Sequence, residues 1–418
     1  MRLIVRTVSL LVVLMAIAAF WNTRRSEGLP LYAARTGLMC GTCHFDPNGG
    51  GPRNEYGFAF ARNRHELAPD TSGQWKDLNL SNRVSDSVPI YFGVNQRFML
   101  LSNANVVSAP AARAAFFSME NALYVTFQPH ARLTIVYSRD AFNESVLAQD
   151  AFGMISGFPL NSYVKAGRFR SPFGLRMDDH TVATRVGFLN LLGSPSFLPY
   201  DARFPDMGVE VGADHGSWFG RASLTNGAAN VFGAQPFAQT TAAKLGYTTS
   251  HYQGGFSFYD DYEKNASVPF RRADRWSYYG LGHWRRLQFI GEVGGGTDRH
   301  APRDPRGPHT NLMAAFGELD WTLNRACNFR LRYDRLETNR DGKMLVRPDG
   351  STVSVHDLNS FNRYAIEGEL LPVPFGELRW TCRVIAPVAD RDQGNAQHPG
   401  GTELRHERQA YLQFHFSY

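Results

Sequence analysis

The sequence predicts an all-β fold, an outer-membrane type antiparallel barrel of about 16 strands behind a short helical N-terminal segment. Three observations carry this. From Pro89 onward, short stretches alternate apolar and polar residues with a period of two, the signal of a strand with two different faces. The connections between them switch between tight turns and long loops. The chain also ends on alternating aromatics that close with Tyr418, resembling the C-terminal strand of such barrels.

The alternation is clearest toward the C-terminus. Leu412, Phe414, Phe416 and Tyr418 alternate with Gln413, His415 and Ser417. Phe329, Leu331 and Tyr333 alternate with Arg330, Arg332 and Asp334. Tyr364, Ile366, Gly368 and Leu370 alternate with Ala365, Glu367 and Glu369, and Leu378, Trp380, Cys382 and Val384 with Glu377, Arg379, Thr381 and Arg383. A water-soluble sandwich or propeller would bury the apolar face; here the other face is heavily charged, as in a lumen. Tight connections fall at Gln128-Pro129-His130, Asp214-His215-Gly216-Ser217, Trp284-Arg285-Arg286, Asn324-Arg325 and Pro372-Val373-Pro374. Long ones fall at 297–310, 337–360 and 387–406. Short turns on one side and long loops on the other are the pattern of an outer-membrane barrel.

Fifteen strand centres can be read from 95 to 413. Both barrel ends belong on the periplasmic side, so the count must be even, and a sixteenth strand is expected between 170 and 205, where the rhythm fails. A barrel of that size has a lumen wider than its side chains fill. The same region reads "GRFRSPFGLRMDDHTVATR", Gly167 to Arg185, and resembles a stretch of phosphate-selective porins and of barrels linked to extracellular electron transfer. It makes Arg176, Asp178, Asp179 and His180 candidate pore-lining residues, with an exposed strand end as the alternative. Arginines and glutamates mix on the lumen face, which argues against a dedicated anion pore. Cys327 and Cys382 fall on the lipid-facing parity of strands with another strand between them. At about 4.8 Å per strand step they lie too far apart for a disulfide and are expected as free thiols.

Ahead of the barrel the chain divides further. Val8–Phe20 is a 13-residue apolar run, too short to span about 30 Å of hydrocarbon as a helix. With Arg2 and Arg6 before it and Ala16-Ile17-Ala18 as a small-x-small cue, residues 1–25 read as a secretory signal peptide, with an uncleaved anchor as the alternative. Residues 26–75 form the N-terminal segment, 76–88 a linker and 89–418 the barrel. A net charge of +6 over 418 residues, with no run of five basic residues, sets nucleic acid aside as a partner. A mean hydropathy of −0.32 excludes a helical membrane protein.

The N-terminal segment contains "GLMCGTCHFDPNGGG", Gly37 to Gly51. C-x-x-C-H is the spelling of a c-type haem attachment site. Thiols three positions apart on one helical turn reach the two porphyrin vinyl groups, and the adjacent histidine is held under the iron. Cys40 and Cys43 are thus the thioether residues and His44 the axial ligand to iron. A thioredoxin-like motif lacks its βαβ context, a zinc site lacks a second ligand pair, and a two-residue disulfide is strained. For the second axial ligand, Phe58, Ala59, Ala61 and Arg62 are expected in a short helix after the turn Pro47 to Pro52, which folds the chain back and brings His65 opposite His44. Met39 is too close to Cys40. Met99 would require the haem in the barrel mouth, and an open or water-bound site also remains. Fifty residues are too few for a self-sufficient core, so the segment needs the haem, the barrel or both, and is expected at the periplasmic mouth or in the lumen as a plug.

"LPLYAARTGLMCGTCHFDPNGGGPRNEYG", Leu29 to Gly57, resembles the haem-site segment of the fused cytochrome–porin family, whose best-known members are outer-membrane iron oxidases. The likeness covers an aromatic-Ala-x-x-Thr-Gly approach, the C-x-x-C-H and a Pro- and Asn-bearing turn leading to a Gly; the barrel matches in architecture only. It implies one covalent haem c on Cys40, Cys43 and His44, and electron transfer between the cell exterior and periplasmic cytochrome c, with iron(II):cytochrome c oxidoreductase as the corresponding activity.

Three function classes follow. One haem is much shorter than the membrane is thick, so an electron conduit needs an extracellular metal ion such as ferrous iron in the lumen, or a partner cytochrome at a mouth. The second class is a substrate-specific porin with a redox-sensing or gating haem cap. The third is a barrel sheath for a multihaem cytochrome.

Overall fold

The structure, a computed structural model, describes residues 30–70, 75, 80–104, 114–140, 150–175, 182–185, 205–227, 239–263, 271–299, 309–338, 344–346, 352–354, 360–387 and 407–418. Sixteen antiparallel strands close into a barrel. They are β1 (Val88–Ala104), β2 (Ala114–His130), β3 (Leu133–Asp140), β4 (Ala151–Phe158), β5 (Ser162–Phe169), β6 (Asp206–His215), β7 (Trp218–Thr225) and β8 (Gln239–Thr248). There follow β9 (Tyr252–Glu263), β10 (Arg271–Trp284), β11 (Leu287–Arg299), β12 (His309–Asn324), β13 (Cys327–Thr338), β14 (Phe361–Val373), β15 (Gly376–Pro387) and β16 (Glu407–Ser417). Neighbours in sequence pair throughout, and β16 pairs with β1 from Arg408↔Ala104 to Ser417↔Asn95, so no edge is left open. A short strand, Arg83–Ser85, pairs beside β1 within the expected linker. The tight turns and both barrel ends lie on one side, as the even count requires.

The two faces of each strand follow the period-two pattern. Leu331, Ile366 and Phe414 point outward and are about half exposed (53%, 52% and 48%). Trp218, Tyr252, Trp284 and Trp321 lie outward near the tight turns, where an aromatic girdle belongs. Arg330, Arg332, Asp334, Glu367, Glu369, Glu377 and Arg383 point inward and are buried. Register pairs opposite charges: Asp320 opposes Arg330, Arg330 opposes Glu367, and Glu369 opposes Arg379. Arg330 donates to Asp320 at 2.7 Å and to Glu367 at 2.8 Å. Cys327 and Cys382 are free. Cys327 pairs with Leu370 and Cys382 with Ile366 on opposite edges of β14, which agrees with the expected absence of a bond.

The count of sixteen agrees with the sequence reading, but the missing strand is misplaced there. It is β4, Ala151–Phe158, and not a strand between 170 and 205. The described parts of that region fold into the lumen instead. β4 escapes the alternation test because, Ser156 apart, both its faces are apolar or glycine: Ile155 points out, while Phe152 and Met154 point inward against Phe45 of the N-terminal segment.

The described inward chain after β5 is held chiefly by one carboxylate. Glu292 on β11 accepts from the Leu175 amide at 3.1 Å, from Ser277 Oγ at 2.6 Å and from Arg185 at 3.1 Å. Arg185 also donates to Phe173 O at 2.9 Å, and the Ala183 amide donates to Asp334 at 3.0 Å. Gly174 sits at φ 64°, and a Cβ there would lie 2.1 Å from Arg185 Nη2.

The N-terminal segment also lies in the lumen. It contains α1 (Pro30–Thr36), the one-turn α2 (Cys40–Cys43) and α3 (Glu55–Arg62). Leu31, Ala33, Ala34 and Met39 pack with the barrel's Phe219, Tyr279 and Phe316 and with Leu175 and Val182 of the inward chain. Arg35 pairs with Glu369 at 3.0 Å. Lys165, fully buried, pairs with Asp46 and Glu210 at 3.0 Å each. At the tight-turn end, Phe58 packs on Phe375 and Tyr418, and Arg325 pairs with Asp70 at 3.2 Å.

Glu292→Ala takes the carboxylate from a buried guanidinium, a change that costs roughly 3–5 kcal/mol. Tryptic cleavage after Arg185 in the detergent-folded protein is expected to accelerate by about a hundredfold or more over wild type; unchanged cleavage would show that Glu292 does not hold the inward chain.

Candidate functional site: the lumenal histidine pair

The C-x-x-C-H run folds as the one-turn α2, and the His44 amide closes it by donating to Cys40 O at 3.0 Å. Cys43 and His44 are buried, and Cys40 is partly so. The turn after His44 reverses the chain through Gly49, Gly50 and Gly51, all at positive φ (85°, 74° and 62°). Only glycine takes three such conformations in a row without strain. The return strand bridges Arg53 to His44, and the Phe45 amide donates to Pro52 O. Asn54 then joins the halves. Its amide nitrogen Nδ2 donates to Thr42 O at 2.8 Å, while its Oδ1 caps α3 by accepting from the Gly57 amide at 2.9 Å. Gly57 lets α3 rest directly on α2, since a Cβ there would lie 2.0 Å from Cys43 O.

The expected helix and the turn are both present, and they bring His65 to the same cavity as His44. α3 ends with the His65 amide donating back to Phe60 O at 2.9 Å. Arg64 and His65 both adopt the left-handed conformation, at φ 56° and 57°. For non-glycine residues such a pair is costly, and it persists because neighbours over-determine it. Arg64 donates to Asp70 at 2.7 Å, and Arg325 holds Asp70 from the β12–β13 turn. The His65 ring stacks on Phe60 and leans on Tyr32, whose hydroxyl is 2.6 Å from Nδ1. Its Nε2 is buried and makes no hydrogen bond among the described residues. Burial, with Arg53 nearby, holds its pKa well below the usual histidine value, so the imidazole is neutral and its free nitrogen can act as a ligand. The rest of the cavity wall includes Arg53, Asn95, Glu377, Arg379 and His415.

The two methionines do not share this cavity. Met39 lies in the apolar cluster of α1, and Met99 is buried on β1. Arg176, Asp178, Asp179 and His180 lie outside the described residues; their flanks, Leu175 and Val182, are buried in the lumen. Sequence reasoning missed four residues that build the site: Tyr32, Asn54, Gly57 and Lys165. Asn54 carried a readable signal, an Asn followed by Glu just before an apolar run, which is a helix-start pattern. Tyr32 and Gly57 stand in the haem-site motif as its aromatic and its final glycine, but their contacts are made across the fold, and Lys165 carries no local signal.

A closed sixteen-strand barrel has solved counterparts. The anion-selective porin from Comamonas acidovorans superposes with a TM-score of 0.55 at 8% identity, covering 79% of this chain and 99% of that one. The fold is that of an outer-membrane porin. The outer membrane channel DcaP of Acinetobacter baumannii gives a TM-score of 0.53 at 9% identity, covering 81% and 100%. OmpT of Vibrio cholerae gives 0.54 at 9% identity, covering 80% and 98%. At these identities the likeness is one of fold. No family model matches the sequence, and no curated protein sequence does.

Gly57→Ala forces α3 off the backbone of α2. Overpacking of this kind costs about 1–3 kcal/mol, so proteolysis within residues 37–65 of the folded protein is expected to rise by roughly 5- to 100-fold while the barrel keeps its compact gel mobility. Unchanged proteolysis would mean that α3 does not depend on that contact.

Proposed function

We propose that this chain is an outer-membrane electron-transfer protein that holds one covalent haem c inside its own barrel and exchanges electrons between an extracellular partner, with ferrous iron the candidate donor, and periplasmic cytochromes. The observation that carries the reading is the return of His65, with a buried Nε2 that makes no hydrogen bond among the described residues, to the cavity that His44 lines. The residues fit the group. Cys40 and Cys43 stand on one helical turn and would hold it through two thioethers, and His44 and His65 would supply ring nitrogens to its iron. A haem held this way supplies reversible one-electron chemistry at its iron.

The chain's own residues do the remaining work. The aromatic wall of Tyr32, Phe58 and Phe60 keeps water from the histidines. Arg53 crosses to the last strand, donating to Ser417 O at 2.7 Å, and so ties the segment to the barrel wall. The apolar outer belt and the porin fold support lipid as the surroundings and the outer membrane as the location. The segment and the described inward chain occupy part of the lumen, which favours a multihaem partner at a mouth over one threaded through the barrel.

A second reading has its own observation. α1 and the inward chain meet in one apolar cluster inside the lumen. This, with the porin fold, supports a substrate-specific channel gated by its own N-terminal segment.

Expression with cytochrome c maturation is expected to yield one haem per chain by pyridine haemochrome, and none in the Cys40→Ser/Cys43→Ser double variant. Absence of covalent haem from the wild type sinks the redox reading. Ferrous iron is expected to raise the reduced α-band; a haem that dithionite reduces and ferrous iron does not removes iron as donor.

The gating reading is checked in planar bilayers, where the intact chain is expected to show little conductance when oxidised and severalfold more when reduced. Conductance indifferent to redox state counts against it.

A further inference from the structure

The Tyr32 hydroxyl is 2.6 Å from Nδ1 of His65, at the end of the ring opposite the unbonded Nε2. The contact links α1 to the tail of α3, 33 residues apart in sequence. It is set in an aromatic triangle: the Tyr32 and His65 ring centroids are 4.3 Å apart, Phe60 stacks on His65 at 5.6 Å, and Phe60 meets Tyr32 edge-on at 5.3 Å. Both partners are fixed from behind. Arg35 lies over the Tyr32 ring at 5.5 Å and pairs with Glu369 of β14 at 3.0 Å. His65 stands in a left-handed backbone that Arg64 and Asp70 anchor to the β12–β13 turn through Arg325. A half-turn of the imidazole about its Cβ–Cγ bond would exchange Nδ1 with Cδ2 and Nε2 with Cε1, turning a carbon toward the cavity, and the stacked Phe60 would not oppose it. The Tyr32 oxygen is the described contact that tells the two ring orientations apart.

We infer that Tyr32 is the positioning residue of the distal histidine, holding His65 with Nε2 toward the cavity and setting the basicity of that nitrogen. The inference rests on the haem reading given above and names how that same site is tuned. With Nε2 committed to a metal, the ring proton resides on Nδ1 and is donated to the Tyr32 oxygen. A ligating histidine that donates its second N–H is held in one tautomer and becomes a stronger base toward the metal, and loss of such a partner typically costs 10- to 100-fold in ligand affinity. A stronger base favours the ferric state, so Tyr32 lowers the haem potential and protects the iron from exogenous ligands.

The test uses the full-length, haem-loaded protein in detergent. Tyr32→Phe is expected to keep one covalent haem per chain and to give a more positive midpoint potential, with carbon monoxide binding to the reduced haem about tenfold or more faster than in wild type. Because Tyr32→Phe can also loosen the segment, 3-fluorotyrosine placed at position 32 serves as the second variant. It keeps the ring and the oxygen but weakens the oxygen as an acceptor, and is expected to move the potential the same way by a smaller amount, which a packing role would not produce. His65→Ala is the reference. If His65→Ala changes the spectrum and the potential while both position-32 variants leave potential and carbon monoxide rate at wild-type values, the role of Tyr32 is overturned and His65 stands as ligand. If His65→Ala itself changes neither, the distal ligand assignment fails and the inference falls with it.

Discussion

The constraint on which the interior depends is charge neutrality among carboxylates and guanidinium groups buried on the lumen face. The wall presents Glu210, Glu292, Asp334 and Glu369 inward, all buried. A carboxylate in such a place is stable only when paired and hydrogen-bonded. The barrel supplies part of the pairing across its strands, and the rest comes from chain that is not barrel. Arg35 answers Glu369, Arg185 answers Glu292, the Ala183 amide answers Asp334, and Asn48 donates to Glu210 at 2.7 Å. In the other direction, Asp46 answers the fully buried Lys165. The N-terminal segment and the inward chain are therefore parts of the electrostatics of the wall. Removing them would leave Glu369 to Arg379, Asp334 to Arg332 and Arg363, and Glu210 to Lys165.

Legibility in the sequence followed how local each determinant is. Period-two alternation needs only a lipid face and a lumen face of different polarity, and fifteen strands had that. β4 did not, because its lumen face meets Phe45 and not water. The same failure misdirected the search to residues 170–205, where the break in rhythm is real but reflects chain folded inward. Tight turns were read well because their geometry is set by a few adjacent residues; the turn at 249–251 was not anticipated, since Thr-Ser-His carries no glycine or proline.

The site divides the same way. C-x-x-C-H, the glycine turn and the short helix are contiguous, and their spacing alone anticipated α2, the reversal and α3. His65 was reachable because one helix length separates it from the turn. Tyr32 was not, since its contact with His65 depends on α1 being pressed against β10 and β11 by the apolar cluster. Lys165 reads from sequence as one more lumen-facing charge of β5. Only the fold shows that it is spent on Asp46 and Glu210.

The position of the segment also bears on the order of assembly. Its contacts gather where the first and last strands meet. Phe58 packs edge-on against Tyr418, Arg53 donates to Ser417 O, the Tyr418 hydroxyl donates to Ser81 O, and Tyr418 exchanges backbone hydrogen bonds with Val94 of β1. Closure of the barrel at the β16–β1 seam and seating of the segment thus share the same residues. Once the seam is closed, Cys43 is buried beneath α3 with its backbone carbonyl against Gly57. On the redox reading, the thioether bonds at Cys40 and Cys43 must then form before β16 joins β1, while the segment is still open to the periplasm. On that reading the covalent step would precede closure, because Cys43, His44 and His65 are all buried once the segment is seated.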